Sequence, residues 1–325
     1  MSDFRFGMVG HGMIAGRFAE AIRVVDGAEV VAVSGRNRAR AEAFADAHGI
    51  PAAYGSAGEM LAAGGLDAVY VCTPHPAHAD AAVACLEAGV GVLVEKPLAP
   101  TQAQVRQILA ASAAGGAFVM EAMWTRFLPV YEIVRRWLDD GRIGQVTKLS
   151  ASFGFRVPVD PTHRLFDPAL AGGSLLDVGV YPLGLARWLF GAPPEQVAAV
   201  GVVGDTGVDE HVAISARYPT GGLAQLGCAV VAELDPVAVM TGTEGTIEIP
   251  DFWGAERATL RTTGEEIVEE VPHRGNGFEY QIEEVMDCVR SGVLESHRMP
   301  HAQSLEMAEL CDRLRRDLQV SYPFE

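Results

Sequence analysis

Short apolar runs alternate with longer Ala-rich stretches over the first 122 residues of the chain. In the longer stretches the apolar residues recur at helical spacing, whereas the short runs have the length and bounding turns of strands. The alternation predicts repeated β-α units, which build a parallel sheet with right-handed crossovers. The predicted strands are Phe6–Val9, Val30–Ser34, Ala68–Cys72, Val90–Val94 and Phe118–Glu121. The predicted helices are Ile14–Val24, Arg38–His48, Ala77–Ala88 and Thr101–Ala114, with Ser56 and Thr101 as candidate N-caps.

The pattern changes after Glu121. Helical spacing over Pro129–Asp140 and from Leu176 to Phe190 flanks an aromatic-bearing strand, Val146–Phe155, and a Pro- and Gly-rich stretch. From residue 198 to 271, β-branched runs recur between turn signals, which predicts a large open, mostly antiparallel sheet. Two further predicted helices follow, over Tyr280–Ser291 and Gln303–Leu318. The second part of the chain is therefore predicted to be α+β.

Composition narrows the class of partner. The 325 residues suit two domains at the usual ~100–200 residues each. Lys and Arg number 25 against 42 Asp and Glu, so the formal charge is 25 − 42 = −17, the wrong sign for a protein that binds nucleic acid or an anionic membrane. An anionic cofactor must then be held by local features such as backbone N–H groups or one well-placed Arg.

The five cysteines form no C-x-x-C pair, which favours buried reduced thiols in a cytoplasmic protein over a zinc or redox site. The first residues lack the basic and apolar regions of a signal peptide, and no uninterrupted apolar run reaches the ~20 residues needed to span a bilayer. We therefore expect a cytoplasmic protein without membrane segments.

A Gly-rich loop follows the first predicted strand. Gly10-His11-Gly12-Met13-Ile14-Ala15 places Gly-x-Gly-x-x-Ala at the turn from strand to helix. The first Gly permits the tight turn, the second lets a pyrophosphate approach the backbone, and Ala15 allows close helix–strand packing. We therefore predict an N-terminal Rossmann domain, a doubly wound parallel sheet, over residues 1–122.

The second predicted strand ends without an acidic residue. NAD enzymes place an Asp or Glu there to bind the ribose hydroxyls. This chain instead supplies a hydroxyl from Ser34 and guanidinium groups from Arg36 and Arg38, which suit the 2′-phosphate of NADP. The alternative is that these arginines are solvated residues at the start of the next helix.

Two other strand ends carry candidate chemistry. Cys72-Thr73-Pro74-His75 and Glu95-Lys96-Pro97 lie at carboxyl ends of parallel strands, where open α/β sheets bind ligands. His75 and His78 have no third ligand nearby, so we predict no metal site. The Lys96 ammonium can orient a hydroxyl and lower the pKa of a neighbouring acid–base group.

Asp177 and Tyr181 are four residues apart in Gly172-Gly173-Ser174-Leu175-Leu176-Asp177-Val178-Gly179-Val180-Tyr181. On a helix this spacing puts them on one face, where both can reach one site. The residues alone leave open a structural alternative, in which Asp177 caps the helix and Tyr181 packs in the core.

With these segments, the chain resembles the glucose-fructose oxidoreductase / inositol dehydrogenase / MocA family over its whole length. Within it, the chain is most similar to dimeric dihydrodiol dehydrogenases and NADP-dependent D-xylose dehydrogenases. The segments that carry the resemblance are Glu95-Lys96-Pro97, Met120–Phe127, Ala171–Tyr181, Gly207-Val208-Asp209 and Gly242–Gly245.

The resemblance implies that residues 123–325 form a domain for substrate binding and oligomerisation, with a homodimer or homotetramer built through its sheet. It implies an NADP-dependent dehydrogenase, with NAD as the second cofactor to test, acting on a sugar such as xylose or on a trans-dihydrodiol. Its catalytic residues would be Lys96, Asp177 and Tyr181. Many members have His at the position of Tyr181. The substrate would be bound by Trp124, Arg126, Phe153, Asp177 and Tyr181. The cofactor would be bound by Gly10, His11, Gly12, Met13, Ile14, Ser34, Arg36, Arg38, Cys72, Thr73, Pro74, His78, Glu95, Lys96 and Pro97.

In the implied mechanism, hydride passes between the nicotinamide and a carbinol carbon while Tyr181 takes or returns the hydroxyl proton. A free phenol titrates near ~10, so the Lys96 charge is required to lower its pKa. Two alternatives stay open: a glycoside-cleaving enzyme that holds NAD for transient oxidation, and a non-catalytic NADP-binding regulator.

Overall fold

The structure is a computed structural model that describes residues 4–325. It divides into two compact units, one running to Trp124 with Arg274–Ala308 and the other formed by Thr125–His273 with Glu309–Glu325. The stretch 274–308, which the sequence placed in the second domain, packs with the first unit. One reason is backbone pairing, since the Val119 N–H donates to the Leu294 carbonyl at 3.0 Å.

The first unit contains a parallel sheet with helices between successive strands. Its strands are β1 (Phe4–Val9), β2 (Ala28–Ser34), β3 (Ala52–Tyr54), β4 (Ala68–Val71), β5 (Gly91–Glu95) and β6 (Val119–Ala122). Its first five helices are α1 (Met13–Ala21), α2 (Arg38–His48), α3 (Ala57–Ala63), α4 (His78–Glu87) and α5 (Gln102–Gly115).

The strand order β3-β2-β1-β4-β5-β6 confirms the predicted doubly wound sheet. The order reverses between β1 and β4, so the crevice beyond the carboxyl ends of these two strands is where such a sheet binds its ligand. Both candidate N-caps are confirmed: the side chain of Ser56 accepts from the Glu59 N–H, and that of Thr101 from the Gln104 N–H. The sequence missed β3 and α3, which are too short for their periodicity to show.

The second unit is built on an open sheet. Its strands are β7 (Val146–Arg156), β8 (Gln196–Val203), β9 (Asp209–Arg217), β10 (Leu223–Ala229), β11 (Val231–Leu234), β12 (Ala238–Gly242), β13 (Gly245–Ile249), β14 (Arg257–Thr262) and β15 (Glu266–Glu270). The order is β15-β14-β13-β12-β7-β10-β9-β8, with β11 beside β7. Neighbouring strands are antiparallel in the described residues except β7 and β10, which confirms the mostly antiparallel sheet.

Helices cover one face of this sheet. Helix α6 (Pro129–Asp139) packs on β14 and β15, and helix α7 (Val180–Phe190) packs on β7 and β10. The other face is open at β8 and β10, where Val200 is 78% and Leu223 is 51% exposed. Strand alternation therefore leaves apolar side chains on a face that this chain alone does not cover.

A π-helical segment, Leu175–Gly179, leads directly into α7, where the sequence predicted one continuous helix. The stretch Pro168–Phe190 is long and apolar enough to cross a membrane, but 83% of its apolar 18-residue window is buried inside the protein, as expected of a core helix. Two last helices, α8 (Glu279–Arg290) and α9 (His301–Asp317), complete the fold. The π-helical segment matters for the site because it carries Asp177.

Candidate active site

The Gly-rich loop adopts a conformation that requires glycine at its first position. Gly10 follows β1 with a φ of +116°, and a Cβ there would lie 2.6 Å from the Cys72 carbonyl oxygen. The Gly10 N–H donates to the Ser34 carbonyl at 2.9 Å. The loop is therefore packed between the ends of β2 and β4, and no larger residue fits.

The start of α1 is open to an anion. Gly12 is its N-cap, with no capping side chain and no acidic residue in the first turn, and a Cβ on Gly12 would meet nothing within 4 Å. The orphan N–H groups of such a helix start are an anion-binding site. The Thr73 hydroxyl, on the neighbouring strand end, is buried without a hydrogen-bond partner among the described residues. These features fit a dinucleotide phosphate bound at this edge of the sheet.

The three candidate ligands for a 2′-phosphate are placed differently. Ser34 is fully buried and its hydroxyl donates to the Met8 carbonyl at 3.2 Å, so its predicted contact with a cofactor is not supported. Arg38 is paired with Glu42, at 3.0 Å, and with Glu59. The exposed Arg36 has no acidic partner within residues 4–325. Of the three, Arg36 is the group available to a phosphate.

His78 holds two of the strand-end loops together. It is fully buried, and its ring nitrogens lie 2.9 Å from the carbonyl oxygens of Thr73 and Pro97. Burial lowers the pKa of His78, which favours the neutral imidazole. The side chain therefore joins backbone to backbone, where the sequence predicted a cofactor contact. Cys72 is also buried, and burial raises the pKa of its thiol well above the usual value.

Lys96 lies in a loop whose backbone is held on both sides by the buried carboxylates of Glu95 and Glu121. Glu95 accepts from the Tyr70 hydroxyl at 2.5 Å and from the Lys96 N–H at 3.2 Å. Burial raises the pKa of Glu95, and the Lys96 charge opposes that rise. Glu121 accepts from the Leu98 N–H at 3.1 Å on the other side. The backbone of Lys96 is thus held while its side chain stays half-buried.

Asp177 and Tyr181 lie in the second unit, on the π-helical segment and on α7. Both are nearly buried, with Asp177 5% and Tyr181 8% exposed. Arg164, from the Pro- and Gly-rich stretch, donates from Nη1 to Asp177 Oδ1 at 2.8 Å. The carboxylate is therefore oriented by a charge-assisted hydrogen bond that the sequence did not reveal.

Aromatic rings adjoin Tyr181. Phe153 on β7 meets the Tyr181 ring edge-on at 5.6 Å and stacks on Trp253 at 5.1 Å. The loop that carries Trp253 is anchored by the Thr125 hydroxyl, which donates to the Trp253 carbonyl at 2.6 Å, and by the Tyr131 hydroxyl, which donates to the Phe252 carbonyl at 2.6 Å. The sequence predicted a substrate contact for Phe153 but gave no signal for Trp253.

Trp124 is placed differently from Phe153. It is 3% exposed, in the first unit, and packs on Phe278 at 5.0 Å. The Arg17 guanidinium lies over both rings and donates to the Asn276 carbonyl at 3.2 Å. Trp124 therefore ties α1 to the loop before α8, while Arg126 is half-buried in the second unit. Within residues 4–325 no three His, Cys, Asp or Glu side chains are grouped to hold a metal ion.

Two family models match most of the chain. The model described as "Oxidoreductase family, NAD-binding Rossmann fold" matches residues 4–123. The model described as "GFO/IDH/MocA C-terminal domain" matches residues 131–248. The candidate residues of each unit lie inside these matches, apart from Trp124 and Arg126 between the two ranges and Trp253 just beyond the second.

Curated relatives match over nearly the full length. The chain is 38% identical to a trans-1,2-dihydrobenzene-1,2-diol dehydrogenase of Danio rerio and 35% identical to that of Mus musculus, and each alignment covers 98% of both chains. These relatives are named as dehydrogenases of a ring diol.

Solved structures share the fold. A 3-ketoreductase, KijD10 from Actinomadura kijaniata, in complex with NADP and TDP-benzene, superposes with a TM-score of 0.86 at 26% identity, over 97% of this chain and 98% of that one. The aldose-aldose oxidoreductase from Caulobacter crescentus, complexed with glycerol, gives a TM-score of 0.89 at 24% identity, over 98% of each chain. The arrangement is thus that of proteins that carry out redox chemistry on C–OH groups.

Proposed function

The chain belongs to the GFO/IDH/MocA oxidoreductase family, and we propose that it is an NADP-dependent dehydrogenase of a vicinal diol or aldose. The observation that carries this proposal is the Arg164–Asp177 pair beside Tyr181. An oriented carboxylate and a phenol on one helical stretch are suited to bind two adjacent hydroxyl groups. One hydroxyl is bonded by Asp177, and the other loses its proton to Tyr181.

The cofactor preference rests on the end of β2. Among Ser34, Arg36 and Arg38, only Arg36 combines exposure with a guanidinium free of acidic partners in the described chain. A guanidinium binds a phosphate through two parallel hydrogen bonds and gives a ribose hydroxyl no comparable charge-assisted bond. We therefore favour NADP over NAD. When bound, the nicotinamide accepts or supplies the hydride.

The chain itself provides the proton chemistry. Tyr181 acts as the acid–base group, and the Lys96 ammonium favours the phenolate by charge attraction. Asp177 holds the neighbouring hydroxyl, while Arg164 keeps the carboxylate oriented. The hydrogen bonds of the Lys96 and Leu98 N–H groups hold the backbone around Lys96 before substrate binds, which limits where the ammonium can lie.

The aromatic rings favour a cyclic substrate. Phe153 and Trp253 are stacked with an interplanar angle of 3°, and Phe153 meets the Tyr181 ring edge-on, so two apolar rings adjoin the proposed acid–base group. Apolar rings beside the reacting hydroxyl favour a substrate with a ring or a C–H face, such as a dihydrodiol or a sugar. The relatives named as trans-1,2-dihydrobenzene-1,2-diol dehydrogenases support the ring diol as the first substrate to test.

We also propose a homodimer or homotetramer in the cytoplasm. Val200, Val202 and Leu223 are exposed on the open sheet face, where a second subunit would cover them. The five free cysteines, all buried, suit a reducing compartment. Light scattering of the purified protein tests the assembly.

The experiment that tests the function is a screen of trans-dihydrodiols, pentoses and hexoses with NADP and with NAD, following the reduced cofactor by absorbance. The proposal expects turnover that depends on a vicinal diol and is faster with NADP. NAD retained through purification, with sugar released from a glycoside and no net reduction, would support the glycoside-cleaving alternative. NADP binding without turnover of any polyol would support a regulator.

A further inference from the structure

Asp209 is a buried carboxylate outside the candidate active site. It caps the helical segment that carries the site residue Asp177. Asp209 begins β9 and is fully buried. Its Oδ2 accepts from the Ser174 hydroxyl at 2.8 Å and from the Leu175 N–H at 2.6 Å. Leu175 is the first residue of the π-helical segment, which contains Asp177 and continues into α7 with Tyr181. Asp209 therefore bonds the start of the stretch on which the proposed chemistry depends.

The residues before this segment are shaped to admit the carboxylate. Gly173 has a φ of +116°, and a Cβ there would overlap Asp209 Oδ1. The Tyr322 hydroxyl donates to the Gly172 carbonyl at 2.9 Å. The turn at residues 172–175 is thus held from two directions, by a phenol and by a carboxylate.

We propose that Asp209 is a positioning residue whose ionised carboxylate fixes Ser174 and Leu175 and thereby the placement of Asp177 and Tyr181. Asp209 does not touch the substrate in this proposal, and it rests on the function proposed above for those two residues. Its consequence is that the acid limb of the pH profile reports a group outside the reaction centre.

The surroundings of Asp209 determine where it titrates. Burial raises its pKa to about 6, and the Ser174 and Leu175 hydrogen bonds and the Arg315 charge oppose that rise. Arg315, on α9, is 3% exposed and is itself paired with Asp312 at 2.7 Å and Glu325 at 2.6 Å. Its charge is thus shared with two other carboxylates.

The other titratable groups around Asp209 are thiols and a phenol, which titrate near ~8.5 and ~10 when free. Burial raises the pKa of Cys228 on β10 and that of Tyr322 in the last turn. The charge of Asp209 raises both pKa values further. Cys311, on α9, is a buried thiol of the same cluster. From β8 the paired residue is the uncharged Val203. Asp209 is therefore the group of this cluster that changes charge between pH 5 and 7.

The direction of the effect follows from the hydrogen bonds, because those from Ser174 and Leu175 lower the pKa of the buried carboxyl. A local opening that breaks them while Asp209 stays buried therefore favours the protonated carboxyl, and ionisation favours the closed cap. Above pH 6 Asp209 is ionised and its bonds to Ser174 and Leu175 are charge-assisted, which makes them roughly twice as strong as neutral bonds. Below pH 6 the carboxyl gains a proton. That proton goes to Oδ1, which has no hydrogen-bond partner within the described structure, because Oδ2 already accepts two donors. The cap weakens, and activity falls as the pH is lowered.

Three full-length proteins test this proposal: wild type, Asp209→Asn and Ser174→Ala. The measurements are the pH dependence of kcat and kcat/KM from pH 5 to 9 and amide hydrogen exchange of residues 174–181 without substrate. Asp209→Asn should lower kcat about tenfold, as expected when charge-assisted bonds become neutral, and abolish the acid limb near pH 6. Ser174→Ala keeps the ionisable group but removes a bond that stabilises its charge, so the limb should move to higher pH.

Exchange separates this proposal from the function proposed above. Protection is corrected for the pH dependence of intrinsic amide exchange. In wild type, the corrected protection of residues 174–181 should fall as the pH is lowered from 8 to 5, and in Asp209→Asn it should be independent of pH. An unchanged acid limb in Asp209→Asn, or wild-type protection that does not vary with pH, would overturn the proposal. If no substrate is turned over, the dehydrogenase proposal fails while exchange still decides whether Asp209 fixes the segment.

Discussion

Arg164 Nη1 and Asp177 Oδ1 are 2.8 Å apart, and they join an exposed loop arginine to a carboxylate that is 7% exposed in its side chain. The pair is asymmetric. Arg164 keeps half of its side chain in solvent, whereas Asp177 has almost no access to water. A charge in that position depends on its partners for both ionisation and orientation.

Arg164→Ala should therefore reduce catalysis more than stability. We expect kcat/KM to fall at least tenfold, because a buried carboxylate that loses a charge-assisted partner is neutralised or reoriented. Steady-state kinetics with the substrate found in the screen give the value. Arg156→Ala is the matched control, since Arg156 is an exposed arginine at the end of β7, just before the Pro-rich stretch, with no ion pair in the described structure. Equal kinetics for the two variants would contradict the assigned role of Arg164.

Lys96→Met and Tyr181→Phe should each lower kcat about 100-fold or more, as expected when an acid–base group or its activating charge is lost. The double variant should be little slower than either single one, because two residues that act on one proton are not additive. NADP affinity of Tyr181→Phe, measured by fluorescence, should equal that of wild type. A loss below about tenfold in Lys96→Met would count strongly against the mechanism.

Arg36→Ala should weaken NADP binding by about 10–100-fold, since a charge-assisted hydrogen bond contributes roughly 1.5–3 kcal/mol. NAD binding should change little, because NAD has no 2′-phosphate. Arg38→Ala serves as the control: Arg38 is already paired with Glu42 and Glu59. Titration of each protein with both dinucleotides, followed by fluorescence, measures the effect, and a larger loss in Arg38→Ala would reverse the assignment.

Tyr131→Phe should destabilise the loop that carries Trp253. The Tyr131 hydroxyl is buried and bonded to the Phe252 carbonyl, so its removal leaves a buried acceptor unpaired, at about 1–3 kcal/mol. At roughly 2–4 °C per kcal/mol, the melting temperature should fall by several degrees. Tyr54→Phe, which removes a hydroxyl with no hydrogen bond in the described structure, should melt like wild type.

The five thiols should resist labelling in the native protein. All five cysteines are buried, and burial raises the pKa of both Cys85 and Cys288 to about 12 from 9.0. A three-unit rise lowers the thiolate fraction about a thousandfold at neutral pH, and the thiolate is the reactive form. A colorimetric thiol reagent should therefore titrate five groups in guanidinium chloride and fewer than one within minutes in buffer. Rapid labelling of the native protein would contradict this prediction, because it would show that the buried thiols become exposed to solvent.

Periodicity determined the parallel sheet and its strand ends, and the Gly-x-Gly-x-x-Ala motif determined the turn after the first strand. Strand and helix spacings are local properties of the chain, and the demand for glycine at residue 10 is set by backbone geometry within one turn. The short β3 and α3 were missed because a few residues do not establish a period. The glycine loop and both N-caps could therefore be predicted from the sequence.

Only the tertiary structure distinguished among similar side chains. From the sequence, Ser34, Arg36 and Arg38 are equally good candidates to bind a 2′-phosphate. In the structure Ser34 is buried and bonded to the Met8 carbonyl, and Arg38 is paired with Glu42 and Glu59. His78 likewise faces two carbonyl groups that the sequence could not bring together.

Trp253 and Asp209 lie far along the chain from the groups they contact, Phe153 and Leu175, and Arg164 reaches Asp177 from the preceding loop, 13 residues away. No local pattern marks such pairs, because each is formed when strands and loops distant in sequence pack around one core. The sequence thus determined the kind of site and the strands and helices that bear its residues. The packing of the chain decided which charges remain available to a ligand and which hold the site in place.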